Sequence, residues 1–199
     1  MPAVVTLESN DAVPGRPFAD PSRTGEDLAT LRQIRAALVE RVRTEPVGGT
    51  WVDRAGAAHL LVLPDAAALA VARPAHAVGF FGQARDEVDH APIIRIEHDL
   101  LDRAASFPGL LAYHNVRFAE ARWGNLVVFA DDEAPSHVRG DALHLDAIAR
   151  TGRHYRSVRL HRLVMPAGAL ADGPLELRRT AYHDFGEDPP WRALRWPAG

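Results

Sequence analysis

Two stretches carry side chains whose types and spacing could act together on a small molecule. Residues 110–118 alternate in polarity, and one row of that alternation holds Leu111, Tyr113, Asn115 and Arg117. Residues 155–165 alternate again, with Tyr155, Ser157, Arg159, His161 and Leu163 in one row. The opposite rows, Leu110, Ala112, His114, Val116 and Phe118 on the first stretch and Val158, Leu160 and Val164 on the second, suit contact with helices. Phenol and amide can hold a substrate oxygen, imidazole can take a proton, and guanidinium grips an anion in a fork. Gathered on one sheet face, Tyr113, Asn115, Arg117, Tyr155, Arg159 and His161 would wall a pocket, with Arg159, Arg117 and Arg179 favouring an anionic or oxygen-rich ligand. The same rows also suit a plain solvated face, and a single sheet histidine such as His161 is more often structural than catalytic.

A second constellation lies at His137, Asp141 and His144, spaced i, i+4 and i+7. On one helix that spacing puts all three on one side, where they would hold a divalent metal or orient an imidazole. The alternative is a polar flank beside the Val138–Ala142–Leu145 stripe. No HExxH, GxSxG, GxGxxG or P-loop pattern occurs, which leaves zinc-protease, α/β-hydrolase, Rossmann and NTPase readings without support. The chain has no cysteine, so thiol catalysis, disulfides and iron–sulfur clusters are excluded. All 23 Lys+Arg residues are arginine, which removes Schiff-base and P-loop lysines.

A net charge of −3 argues against bulk attraction to nucleic acid or an anionic membrane. Glu8 and Asp11 fall where a signal peptide would need a basic start and an apolar core, and no apolar run approaches the ~20 residues that span a bilayer. A cytoplasmic protein is expected.

The elements that must position these residues follow from periodicity. Residues 1–23, with four prolines, read as an extended arm. A helix is expected from Thr24-Gly25-Glu26-Asp27 through the stripe Leu28, Leu31, Ile34, Leu38 and Val42. Two short strands at 50–53 and 58–63 and a helical turn or two at 65–72 complete an N-terminal helix and hairpin, 24–75. From 76 the pattern reads strand, helix, strand, strand, helix, strand: 77–82, 92–106, 110–118, 125–130, 134–150 and 155–165. One further strand follows at 175–183. The tail, 186–199, is too rich in proline for a regular element. The unit 76–185 is therefore α+β and ferredoxin-like, an antiparallel sheet with helices on one face and its other face open. An open face of that size is an interaction surface or a ligand wall.

Residues 109–162 resemble the antibiotic-biosynthesis-monooxygenase type of dimeric α+β barrel. The resemblance rests on the strand opening Gly109-Leu110-Leu111, on the strand end Phe129-Ala130-Asp131-Asp132-Glu133-Ala134, and on His137 and His144 in the helix that follows. It implies two ferredoxin-like units joined through their sheets, as a homodimer or, with 24–75 as a degenerate second half, a pseudo-dimer; the alternative for 24–75 is a cap on the sheet edge. It also implies a cavity between sheet and helices. Members include cofactor-independent oxygenases of electron-rich phenols and haem-degrading enzymes. For the first activity His161 or His137 would be the base, Tyr113 and Asn115 would hold the substrate oxygen, and Arg159 would stabilise the anion. Haem degradation would use Asn115, Trp123 and a helix ligand, His137 or His144, although the family's cavity tryptophan would stand at Phe129. A non-catalytic module pairing through its sheet face is the third expectation.

Overall fold

The computed structural model describes residues 4–71, 74–118 and 123–198. The first long element is α1 (Pro21–Thr44). It starts three residues ahead of the expected Thr24, because Asp20 and Pro21 make a better start signal. The Asp20 carboxylate accepts a hydrogen bond from the Ser22 amide at 2.9 Å, and Pro21 stands where a helix needs no N–H. Leu31, Ile34, Leu38 and Val42 are buried along one side, as their spacing demands.

Among the described residues nine strands form one sheet: β1 (Val5–Leu7), β2 (Gly49–Val52), β3 (Ala58–Val62), β4 (Ala75–Ala84), β5 (Leu110–Arg117), β6 (Trp123–Phe129), β7 (Tyr155–Met165), β8 (Glu176–Asp184) and β9 (Trp191–Arg195). Their order is β1-β9-β8-β7-β4-β6-β5-β3-β2. All neighbours are antiparallel except β1 and β9. The remaining helices are α2 (Ala66–Ala70), α3 (Ala91–Asp102), α4 (Pro135–Arg139) and α5 (Ala142–His154). The fold is thus mixed α+β, with a sheet larger than a four- or five-stranded expectation. The Ala72 end of the expected second helix and residues 119–122 of the hairpin lie outside the described residues. No helix among the described residues is long and apolar enough to cross a membrane.

Several expectations need correction. The tail is not irregular, for Trp191–Arg195 completes a β8–β9 hairpin, and the extended arm supplies β1 beside it. The stretch 134–150 is not one helix. It breaks at Gly140, and Asp141 caps a new helix by accepting from the Leu143 amide at 2.9 Å. The break turns α5, so Leu145 and Ile148 are exposed instead of forming an inward stripe. On β5 the register shifts between Leu110 and Ala112, and this bulge exchanges the two faces beyond it.

The largest change concerns the open face. It is covered by α1. Leu31, Ile34 and Leu38 pack there with Ala77, Phe81, Ala112, Val116, Leu126 and Leu163 in one buried cluster. Gly79 makes the approach possible, since a Cβ at that position would stand 2.6 Å from Leu31 Cδ1. Three polar clamps reinforce it. Asp27 meets Arg159 and His161, Thr24 meets the Tyr182 hydroxyl at 3.2 Å, and Arg35 donates to the carbonyls of Gly168, Ala169, Ala171 and Gly173. Helices α3 and α5 pack together on the opposite face.

Under the far end of α1, His114 of β5 contacts His59 of β3 at 3.1 Å, with Trp51 stacked on the His59 ring. Burial, then the His59 charge, push the His114 imidazole down to about 3 against a weaker opposing contact from the Ile34 backbone. The unfolded chain protonates this residue near pH 6.5 while the fold keeps it neutral. Stability from His114 is therefore fully present above pH ~6.5 and is lost as pH falls toward 3, at roughly 1.4 kcal/mol per pH unit. Urea unfolding between pH 7 and pH 4.5 will show this slope, and His114→Gln will flatten it.

Candidate functional site

The bulge in β5 turns Tyr113 and Asn115 toward α3, where Glu97 reaches down between Ile93 and Leu100. The Tyr113 hydroxyl donates to Glu97 Oε1 at 2.5 Å, and Asn115 Nδ2 donates to the same oxygen at 3.1 Å. The phenol oxygen in turn accepts from Asn125 Nδ2 of β6 at 3.2 Å. Burial, then the Glu97 charge, push the Tyr113 phenol well above its ordinary value, so it stays protonated and keeps donating. That assignment leaves one acceptor over. Asn125 is 9% exposed, and its Oδ1 is buried with no partner. An unpaired buried carbonyl of this kind costs about 1–3 kcal/mol relative to one that is satisfied.

An aromatic group adjoins this network on the same face. Phe80, opposite Asn125 in the β4–β6 register, stacks on Trp123 with ring centroids 5.4 Å apart. Tyr155 meets Phe80 edge-on at 5.7 Å and lies 6.1 Å from Trp123. Gly82 leaves room for the Tyr155 ring, because a Cβ there would come within 2.5 Å of it. Burial and the Glu97 charge push the Tyr155 phenol up to about 12. His90 and His154 close the end beside Tyr155, and His154 Nδ1 is a second buried atom without a partner.

The structure therefore brings together Tyr113, Asn115, Trp123 and Tyr155, with the exposed Arg117 opposite Trp123 in the β5–β6 register. Glu97, Asn125 and Phe80 were not singled out by sequence reasoning, and two of them left a signal. Glu97 is a carboxylate inside the Ile93–Ile96–Leu100 stripe, and Asn125 heads the apolar run Asn125-Leu126-Val127-Val128-Phe129-Ala130.

His161 and Arg159 are elsewhere, on the α1 side of the sheet. His161 Nδ1 lies 2.9 Å from Thr180 Oγ1 and its Nε2 lies 2.8 Å from Asp27 Oδ2. Arg159 forks onto Asp27, with Nε 2.5 Å from Oδ2 and one terminal nitrogen 2.9 Å from Oδ1. Hydroxyl, imidazole and carboxylate stand in the sequence a nucleophilic relay would need. Yet Thr180 and His161 are both 0% exposed, so no substrate reaches the hydroxyl. Burial raises the Asp27 carboxyl, but hydrogen bonds and charge from His161 and Arg159 outweigh it and hold the group below the usual carboxylate range. This is a clamp on α1.

His137 is exposed on α4, and His144 lies on α5, on separate helices. Asp141 is spent on its capping bond and an ion pair with Arg103 at 2.9 Å. Among the described residues no group of three His, Cys, Asp or Glu is placed to hold a metal ion. His144 is ten residues from His154, so about 15 Å of helix separates it from the Tyr155 end. His144, one of the two expected haem ligands, thus stands at the other end of α5 from the Trp123–Tyr155 pair.

Two cavities lie away from the aromatic cluster. One, of about 560 Å³, runs along the outer side of α1 by Arg32, Arg35 and the Ala171–Gly173 turn, and it is an open groove over a guanidinium already engaged. The other, of about 390 Å³, lies between the start of α4 and β7–β8. No protein-family model matches the chain, and no curated protein sequence matches it. Tyr113→Phe removes the hydroxyl that links Glu97 to Asn125, and it should lower the unfolding free energy by about 1–3 kcal/mol in urea titration.

Proposed function

We propose that the chain binds a small hydroxylated aromatic molecule between α3 and the sheet. The observation that carries this reading is the buried, unpartnered Asn125 Oδ1 next to the Phe80–Trp123–Tyr155 group. A ligand hydroxyl supplies the donor that Oδ1 lacks, and a flat ring packs on the aromatic side chains. The central order β7-β4-β6-β5, reached by strand–helix–strand–strand–helix–strand connectivity, supports a ferredoxin-like unit of the dimeric α+β barrel type. In this chain α1 takes the face that a partner's sheet would cover in a homodimer, so the sheet is closed from within.

The same arrangement suits cofactor-independent monooxygenation. Glu97, joined to Asn125 through the Tyr113 hydroxyl, is the carboxylate that takes the phenol's proton once the bound hydroxyl turns from Asn125 Oδ1, in the role first expected of His161 or His137. The phenolate then reduces dioxygen: one oxygen atom becomes a ring carbonyl para to the first, and the other leaves as water with the phenolic and ring hydrogens. Phenol and dioxygen thus give quinone and water with no external reductant.

1-Naphthol and naphthalene distinguish hydroxyl recognition from simple greasiness. In isothermal titration 1-naphthol should bind saturably and about tenfold more tightly than naphthalene, the worth of one buried hydrogen bond. Asn125→Leu should erase that preference. Equal binding of the two compounds would reduce the network to a strut between α3 and the sheet. Oxygen uptake with 1-naphthol, lost in Glu97→Gln, tests the oxygenase step separately.

A further inference from the structure

The cavity of about 390 Å³ is lined by His76 of β4, Arg162 and Val164 of β7, Arg178 of β8, and Asp132 and Pro135 at the approach to α4. Arg162 stands directly opposite Arg179 in the β7–β8 register. Between Arg162 and Leu163 that register shifts, since Leu163 pairs with Leu177, and Arg178 is the extra residue. The bulge therefore turns Arg178 toward the cavity as well, the device by which sheets re-aim a side chain at a site. Arg139, on α4, adds its charge from above.

These guanidinium groups are short of partners. Among the described residues Arg162, Arg139 and Arg179 make no hydrogen bond or ion pair, and Arg178 meets only the exposed Glu176 at 3.0 Å. Half-buried Arg162 is pushed below its ordinary value by burial and then by the neighbouring Arg139 and Arg179 charges. One carboxylate, the exposed Asp132, appears on the lining. In a chain of net charge −3, like charges crowded at a concave place are poorly explained by solubility. By contrast Arg35, Arg159 and Arg195 are each saturated by carbonyls or a carboxylate.

We infer that this cleft is a binding site for a multivalent oxyanion, a polycarboxylate or phosphate-bearing metabolite held in the fork of Arg162 and Arg178 with Arg139 and Arg179 at its rim. Guanidinium pairs carboxylate and phosphate oxygens with two parallel hydrogen bonds, and a cavity of this volume admits a small metabolite. The site is separate from the aromatic cluster. His76 precedes Phe80 by four residues on β4, about 13 Å along the strand.

Thermal unfolding at low ionic strength, with pyrophosphate, with citrate, and with potassium chloride matched for ionic strength, tests the inference. At a hundredfold excess over Kd, pyrophosphate or citrate should raise Tm by about 5–10 °C in a saturable way, while the chloride control does not. A response to pyrophosphate alone assigns phosphate chemistry, and one to citrate alone assigns carboxylate. Arg162→Met should raise Tm without anion, because it removes an unpaired half-buried charge, and should abolish the anion's effect. Arg178→Gln, on the exposed bulge, leaves folding intact and should weaken binding about tenfold or more. No rise beyond the chloride control, or an unchanged rise in both variants, would overturn the site. So would a loss of stability in anion-free Arg162→Met.

Discussion

Everything in this molecule depends on how one buried carboxylate is held. Asp27 projects from α1 into the sheet, where removal from water alone would make its charge costly. His161 and the two-pronged Arg159 supply three hydrogen bonds to its two oxygens, enough to keep it ionised. Such a contact adds little net free energy over a well-packed apolar one, but it is intolerant of misplacement. A helix sliding along the sheet by one turn would strand Asp27, Arg159 and His161 together. Leu31, seated over Gly79, supplies burial, and the Asp27 clamp supplies register.

Closure of one sheet face decides where chemistry can happen. With α1 in place, polar side chains on that side are locked in pairs and shielded: His161 with Thr180, His59 with His114, Tyr182 with Arg195. The remaining face is divided by the helices above it. Helix α3 brings Glu97 over β5 and β6, while α4 leaves a cleft above β7 and β8. The aromatic cluster and the arginine cleft are thus the two ends of one sheet face.

The strands between 76 and 183 and the helix α3 were legible in the sequence, since period-2 alternation and the apolar face of α3 are local properties. It also grouped Arg159 with His161 on β7, where alternation runs undisturbed between them. What it could not show was the bulge after Leu110, a single extra residue that moves Tyr113 and Asn115 to the other face without altering composition. The break at Gly140 similarly undid the His137–Asp141–His144 spacing, because a capping aspartate looks like any helix aspartate until its amide partner is known. Strand β9 escaped notice because Trp191–Arg195 is flanked by prolines and gains its order from its neighbours β8 and β1. The cover of the open face is a tertiary fact. The stripe on α1 was legible, but its destination was not.

Hydrogen-bond satisfaction separates the polar clusters better than residue type does. By type alone the Thr180–His161–Asp27 line looks the most catalytic, and it is the one whose donors and acceptors are used up in a sealed core. Tyr113, Asn115 and Glu97 look like a strut, yet their neighbour Asn125 ends the chain of donors with an acceptor left over. Arg162 and its neighbours have donors left over. Around Asp27 the α1 side pairs its hydroxyl, imidazole, guanidinium and carboxylate with one another, whereas Asn125 and the cleft arginines are left short. The hydroxyl donor we propose at the first and the oxyanion we propose at the second would complement these groups and recover the free energy of an unmade hydrogen bond.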